Sequence, residues 1–370
     1  MGVPFFEIRP LVNSHGLVWL SSNYAFYGDI SARMMRLLNE FTPRQETYSI
    51  DECFLDFSDM PGNATTHGRD IRRRIRQYLG ITTCTGIGSS KTLAKLANHV
   101  AKTNKEYDGV FDWAERSAAE QAALMAGLPV GKVWGVGRKL ALQLNRFNIF
   151  TVFDLQRTNV VEIRKRFSVV MERTVAELNG ESRIELEEIT APKAHIQATR
   201  SFGRPVTTIS ELREAVMSYV VRAAERLREQ HSVCAQVSVI IHTEKCRSGT
   251  LRDSPSIQIP LAVPSAHTRR LSTAALRNLE QIYRQGYRYK KAGVMLTGLQ
   301  PVIATQADLF AGDNPPRTAR LMTAMDAINK TYGMNTVTFA GAGIEQPWRM
   351  QSMRKSPRYT TCWNERATVR

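Results

Sequence analysis

No stretch of this 370-residue sequence approaches the about 18 consecutive apolar residues that a bilayer-spanning helix needs, so no such helix and no membrane partner are expected. Cysteine is scarce. The five present (Cys53, Cys84, Cys234, Cys246 and Cys362) are scattered with no CxxC pair, which argues against a disulfide framework or a zinc site and fits a reducing cytoplasm. The start, MGVPFFEIRP, lacks a basic segment followed by an apolar one, so it does not read as a secretory signal. Its sixth residue is Phe rather than the Ser or Thr of a myristoylation site. Acidic residues are the minority charge: 34 Asp and Glu face 50 Lys and Arg, for a net charge of +16. A surplus of that size points to a polyanionic partner, nucleic acid before a membrane surface; a basic protein with solvated charged faces is the plainer alternative. What is present in ordinary measure is apolar and charged content, 43% and 23%, and the length suits two or three globular domains.

Apolar periodicity divides the chain. Over residues 17–113 strands and helices alternate: a strand at Leu17–Ser21, a helix on Phe26, Ile30, Met34, Leu37, Leu38 and Phe41, and strands at Glu46–Ile50 and Cys53–Phe57. A helix on Ile71, Ile75, Tyr78 and Leu79 follows, then a strand at Ile81–Ile87 and a helix on Leu93, Leu96, Ala97 and Val100. Up to Ile87 the order is βαββαβ, a split βαβ plan. Residues 116–190 read as helices only, with breaks at Gly127-Leu-Pro and Gly131. From Ala194 to Gln300 a second βαββαβ order appears, with strands around 196–202, 233–242, 256–263 and 289–299. Its first helix starts near Ser210, where Thr208 and Glu211 have the spacing of a capping box. From Pro301 the chain turns Pro-, Gly- and Asp-rich, then carries one helix and a basic tail. The fold class is α+β.

Three motifs carry chemistry. In Tyr48-Ser-Ile-Asp-Glu-Cys-Phe-Leu-Asp56, two adjacent carboxylates stand where one apolar strand bends into the next. Asp51 and Glu52 on one rim of a sheet suit Mg²⁺, which takes one or two carboxylates along with substrate phosphates and waters. Two such ions clamp the oxygens of an in-line phosphoryl displacement. A hairpin turn whose acids merely face water is the bland alternative. In Trp134-Gly-Val-Gly-Arg-Lys-Leu-Ala141, the spacing is that of a helix-hairpin-helix: Gly135 and Gly137 permit φ > 0 and leave amides open to phosphate at a helix N-terminus, with Lys139 and Arg138 adding charge and Ala141 allowing close packing. Gln306-Ala-Asp-Leu-Phe310 has the Q-x-x-L-F form that docks bacterial processivity clamps, with Leu309 and Phe310 as apolar anchors and Gln306 at the pocket edge. Gly86-Ile-Gly-Ser-Ser-Lys-Thr92 is not a phosphate loop, because no Gly precedes Lys91. Lys91 and Lys95 read as a solvated helix face.

Taken together, the SIDE string, GIGSSKTLAKLANHVAKTNK, the hairpin and HIQATRSFGRPVT resemble the Y-family translesion DNA polymerases. The strings RYKKAGVML, MDAINKTYG, FAGAGI and KSPRYTT are similar to the UmuC-like branch. The resemblance implies a ferredoxin-like palm with fingers remnant over 1–115, a helix-hairpin-helix thumb over 116–192, a little finger over 193–300 and a tail over 301–370. It implies Asp51 and Glu52 as catalytic metal ligands for Mg²⁺, Asp56 as structural, and Lys102 as the lysine that meets the triphosphate. Arg200 and Arg204, on one face of the first little-finger strand, would meet DNA phosphate. Damaged primer-template DNA, the processivity clamp, a cleaved UmuD-like dimer and RecA are the implied partners in SOS mutagenesis. The family's opening strand, with a further metal-binding Asp, and the bulk of its fingers have no counterpart in these residues. Slow synthesis, or a non-catalytic DNA- and clamp-binding role, is therefore expected of the chain as it stands.

Overall fold

The computed structural model describes residues 3–187, 191–244, 253–304 and 315–368. These fall into two units, Met1–Thr190 with Arg354–Arg370, and Ala191–Met353.

The first unit opens with α1 (Phe5–His15), a helix that periodicity does not announce because Pro10 sits inside it; Gly16, at φ 63°, ends it. The strand expected at Leu17–Ser21 does not form. Val18 and Leu20 lie exposed, and only Ser21 makes a β-bridge, to Lys355. A short apolar run does not make a strand without a neighbour to take its amides. Helix α2 (Tyr24–Leu38) starts on the Asn23 side chain, which accepts from Phe26 N, and buries Met34, Leu37 and Leu38 against Ile71 and Ile75 of α3 (Ala64–Leu79). Between them β1 (Gln45–Thr47) pairs antiparallel with β2 (Cys53–Leu55), Glu46 opposite Phe54. Further on, β3 (Thr85–Ile87) pairs in parallel with β4 (Val110–Asp112). The four strands make two separate two-stranded sheets rather than one. Helix α4 (Lys91–Thr103) lies so close to β3 that a Cβ at Gly86 would fall 2.0 Å from the backbone nitrogen of Asn98.

The apolar face of α4 is continuous with a helical cluster. Leu93, Leu96, Ala97 and Val100 share one core with buried residues of α5 (Ala118–Gly127), α6 (Arg138–Asn145), α7 (Val152–Gln156), α8 (Val160–Arg166) and α9 (Val169–Leu178). No strand occurs in residues 116–187, as the sequence predicts. Glu177, fully buried on α9, accepts from Thr92 N at 2.9 Å. A carboxylate thus meets the positive end of α4.

The second unit follows the predicted βαββαβ order: β5 (Ile196–Val206), α10 (Ile209–Glu229), β6 (Ser232–Thr243), β7 (Ser256–Ser265), α11 (Thr268–Ile282) and β8 (Tyr289–Pro301). The sheet order is β5-β8-β6-β7 with every neighbour antiparallel, so each βαβ pair is split by an inserted strand. Both helices cover one face, on a core that includes Val237, Val239, Val294, Leu296, Leu212 and Leu271. The expected capping box is half formed: Thr208 accepts from Glu211 N at 3.3 Å, but the Glu211 carboxylate takes the Thr208 hydroxyl and Arg204. Helix α12 (Pro315–Tyr332) returns to α10 through a bidentate Arg228–Asp326 pair at 2.6 and 2.7 Å. Trp348 is buried edge-on to Phe202 and Tyr219. The last residues rejoin the first unit, where Ser21 N donates to Arg354 O at 2.8 Å and Tyr359 packs edge-on to Phe26.

Candidate active site and nucleic-acid interface

The loop between β1 and β2 is only five residues, Tyr48 to Glu52. The amides of Tyr48 and Ser49 both donate to Glu52 O, at 3.1 and 3.0 Å, and close it tightly. Asp51 and Glu52 therefore stand together at an exposed sheet rim. Asp51 Oδ1 accepts from Ser49 Oγ at 2.7 Å, and Glu52 Oε1 lies 2.6 Å from Lys95 Nζ. Asp56 is engaged elsewhere, accepting from the Ser58 amide and hydroxyl and pairing with Arg44 at 2.5 Å. The Ser58 hydrogen bonds, then the Arg44 charge, hold its carboxyl below the usual range.

The lysines of α4 differ from their expected solvated face. Lys91 is buried in an ion pair with Glu46 of β1 and also donates to Glu185 O at 2.7 Å, while Glu46 accepts from Glu187 N at 2.8 Å. The reason is position: Lys91 opens the helix where it meets β1, so solvent is not available to it. Lys95 is half-buried beside Glu52, with its ammonium 5.0 Å over the Tyr48 ring. Lys102 is exposed in the last turn of α4. Seven residues beyond Lys95, it shares that face about 10 Å along the helix. His99, one turn before it, titrates below its ordinary value, first because burial disfavours its cation and then because Lys132 and Lys102 add positive charge.

The expected hairpin has its glycine turn and second helix, α6, but a single 3-10 turn at Val130–Lys132 stands where a first helix is expected. Gly135 has φ +83°, which favours glycine, whereas Gly137 at φ −78° is in ordinary backbone and serves as the N-cap of α6. Only one of the two glycines therefore uses the left-handed region, contrary to the expectation for both. No side chain caps α6, and a Cβ at either glycine would meet nothing within 4 Å. The amides that open α6 therefore carry no side-chain cap and are flanked by exposed Arg138 and Lys139. Gly131 approaches Ala141, the small residue of the motif.

A contact that sequence reasoning missed joins these two places. Trp134, immediately before Gly135, donates from Nε1 to Tyr48 Oη at 3.0 Å, and its ring is perpendicular to that of Tyr48 with centroids 5.5 Å apart. The two residues are 86 positions apart, and no local signal announces the pairing.

In the second unit Arg200 faces Ala292 across the β5–β8 pair, and Arg204 pairs with Glu211 of α10. Both therefore lie on the helix side of the sheet. The opposite face presents Gln197, Thr199 and Ser201 on β5, with Lys291 opposite Ser201 and Gln236, Met295 and Thr297 beside them, so it carries a cation among mostly uncharged groups. Gln306, Leu309 and Phe310 lie outside the described residues. No described helix is long and apolar enough to cross a membrane.

Comparison with known proteins fits this geometry. The model of the impB/mucB/samB family matches residues 1–99 and that of the family's C-terminal domain residues 193–309, while residues 319–369 match a domain of unknown function. The chain is 41% identical to Protein UmuC of Salmonella typhimurium over 374 residues, covering 100% of this chain and 88% of the relative. It is 39% identical to Protein SamB of Salmonella typhimurium, covering 98% and 86%. To DNA polymerase IV of Moorella thermoacetica it is 28% identical, covering 89% and 80%. A solved Y-family DNA polymerase chimera of Dbh and Dpo4 shares the fold, with a TM-score of 0.60 at 19% identity over 81% of this chain and 83% of that one. The α+β architecture, the carboxylate hairpin and the full-length likeness agree, and the chain belongs to the impB/mucB/samB family, the UmuC-like Y-family DNA polymerases.

Proposed function

We propose that this chain carries out template-directed nucleotidyl transfer in error-prone translesion synthesis, with Asp51 and Glu52 as its catalytic carboxylates. The observation that carries this reading is their placement, side by side at the exposed end of a tight hairpin, next to the cationic face of α4. Y-family polymerases depend on divalent metal in general. The donors here suit Mg²⁺: two hard oxygen ligands on a loop open to substrate phosphates. When bound, the metal neutralises charge on the transferring phosphoryl group and its leaving oxygen. Lys95 pairs with the Glu52 carboxylate, and Ser49 orients Asp51. Lys102 meets the triphosphate as an exposed point charge on the same helical face.

The palm is taken as residues 1–115, the thumb as 116–192, the little finger as 193–300 and the tail as 301–370. Gly135, Gly137 and Lys139 grip duplex phosphate through open amides and charge, without reading bases. Arg200 and Arg204 add phosphate contacts, Arg204 by exchanging Glu211 for phosphate. Duplex affinity is expected to fall with salt at a log–log slope of about −0.9 per phosphate neutralised. Lys139→Glu should weaken binding to every sequence alike in a fluorescence-anisotropy titration; a flat salt response, or loss on some sequences only, sinks the assignment.

Clamp docking through Gln306, Leu309 and Phe310 is supported by the motif's form and by membership of the family. Changing Leu309 and Phe310 together to Ala should remove most clamp affinity, since buried anchors are worth about 2 kcal/mol or more each. Undiminished binding of the double variant to a sensor-chip clamp counts against the motif. A cleaved UmuD-like dimer, RecA and a cytoplasmic location are supported by the likeness to UmuC alone. A second reading, a non-catalytic DNA- and clamp-binding protein, is favoured by the Lys95 ammonium on Glu52, which already neutralises one of the two carboxylates.

A further inference from the structure

Two sites that polymerisation must keep in register, the phosphate-binding hairpin and the carboxylate loop, are joined by one aromatic contact. Trp134 is the last residue before the turn at Gly135, and only two residues separate it from the N-cap of α6. Its neighbours Val133 and Val136 are buried in the helical core, so its backbone moves with the hairpin. Tyr48 is the first residue of the carboxylate loop, and its own amide is one of the two that close on Glu52 O. The two side chains meet through the 3.0 Å hydrogen bond from Trp134 Nε1 to Tyr48 Oη. Phe54 of β2 completes a triangle of rings, 5.7 Å from each of the other two. Lys95, which holds Glu52, lies over the Tyr48 ring, and Lys91, which holds β1 through Glu46, lies over the Phe54 ring at 5.2 Å.

Surface aromatics rarely need such company. Tyr48 is 43% exposed, so burial alone does not explain why its ring is fixed on two sides by other rings and over its face by a cation. Each contact is of the directional kind, edge-to-face, hydrogen-bonded or cation over ring, and each restricts orientation more than it removes surface from water. What they restrict is the base of the five-residue loop that carries Asp51 and Glu52.

We propose that Tyr48 and Trp134 are positioning residues: their contact transmits the seating of duplex phosphates on the helix-hairpin-helix to the orientation of the carboxylate loop, so that the loop is held for reaction when the hairpin is. This rests on the reading of Asp51 and Glu52 as the catalytic carboxylates. Neither aromatic touches substrate. The hydrogen bond is the specific element, because Phe at either position keeps a ring in the triangle and removes only the donor or the acceptor.

The test compares Tyr48→Phe, Trp134→Phe, the double variant and Trp134→Ala in the full chain. In the free protein, with no turnover required, amide hydrogen exchange over residues 49–53 is expected to quicken by about tenfold in Trp134→Ala, while α6 stays within about twofold of the parent. On a primer-template with Mg²⁺, the single-turnover incorporation constant should fall by about five- to tenfold in each Phe variant, with duplex and nucleotide dissociation constants within about twofold. The double variant should be no slower than the slower single one, since both remove the same bond. Unchanged exchange at 49–53 in Trp134→Ala overturns the proposal, as do multiplicative losses in the double variant or a loss confined to duplex affinity. Asp51→Ala keeps the two readings apart. If it incorporates like the parent, the carboxylate assignment falls while the exchange result stands. If it is inactive and exchange at 49–53 is unchanged, the coupling alone falls.

Discussion

Glu46→Ala is expected to destabilise the first unit by about 3–5 kcal/mol, a large effect for a polar residue of a three-residue strand. Glu46 is 8% exposed and its partner Lys91 equally so. Removing the carboxylate leaves a buried ammonium whose remaining acceptor is the Glu185 carbonyl, and it also strips the acceptor from Glu187 N. The desolvated cation, rather than the lost attraction, sets the size of the effect. Replacing both partners with apolar residues, Glu46→Leu with Lys91→Met, should recover most of the loss, because the pair as a whole offsets its own desolvation only roughly. Urea unfolding of the three proteins checks both statements. A single variant within about 1 kcal/mol of the parent shows that water reaches Lys91. Because β1 leads directly into the carboxylate loop, the same variant should lose activity before it unfolds.

Asp51→Ala and Glu52→Ala should each lower nucleotidyl transfer by about a thousandfold, the scale for deleting a group that stabilises charge developing in a transition state. Both side chains are exposed, so neither change should cost more than about 0.5 kcal/mol of stability. Duplex affinity should hold in both, since the hairpin amides proposed to grip phosphate lie on α6 and not on this loop. Lys95→Ala gives the contrast. It frees Glu52 from its ion pair without removing a carboxylate, so its effect is expected to be smaller and to show in the metal concentration required. Single-nucleotide incorporation across an Mg²⁺ titration separates the three. If Lys95→Ala is as slow as Glu52→Ala at saturating metal, the lysine has a role in the chemistry that its geometry does not suggest.

Much of the second unit is legible in the sequence because its elements are long. Strands of ten to thirteen residues and a helix of 21 repeat their period often enough to be read to within a few residues at most boundaries. The first unit is harder for the same reason reversed. Its strands β1 to β4 have three residues each, too few for alternation to show, and the apolar run Leu17–Leu20 reads as a strand although only Ser21 beside it makes a bridge. The carboxylate pair is visible because Asp51 and Glu52 are adjacent in the chain. Lys91 is misread because its partner Glu46 lies 45 positions away, and spacing along a helix says nothing about what the fold brings opposite it. Trp134 meeting Tyr48 is hidden in the same way. The glycines of the hairpin are visible as a pattern, but which of them needs a left-handed backbone is decided by the turn itself.

The most direct test of the central claim is single-nucleotide incorporation opposite an abasic site, measured for the 370-residue chain and its Asp51→Ala variant on the same primer-template, with and without Mg²⁺. Incorporation by the parent that requires Mg²⁺, however slow, and that disappears in Asp51→Ala while duplex binding is retained, is the predicted result. Equal incorporation by the two proteins, or none by either at saturating metal and duplex, contradicts it and leaves a DNA-binding protein without polymerase chemistry.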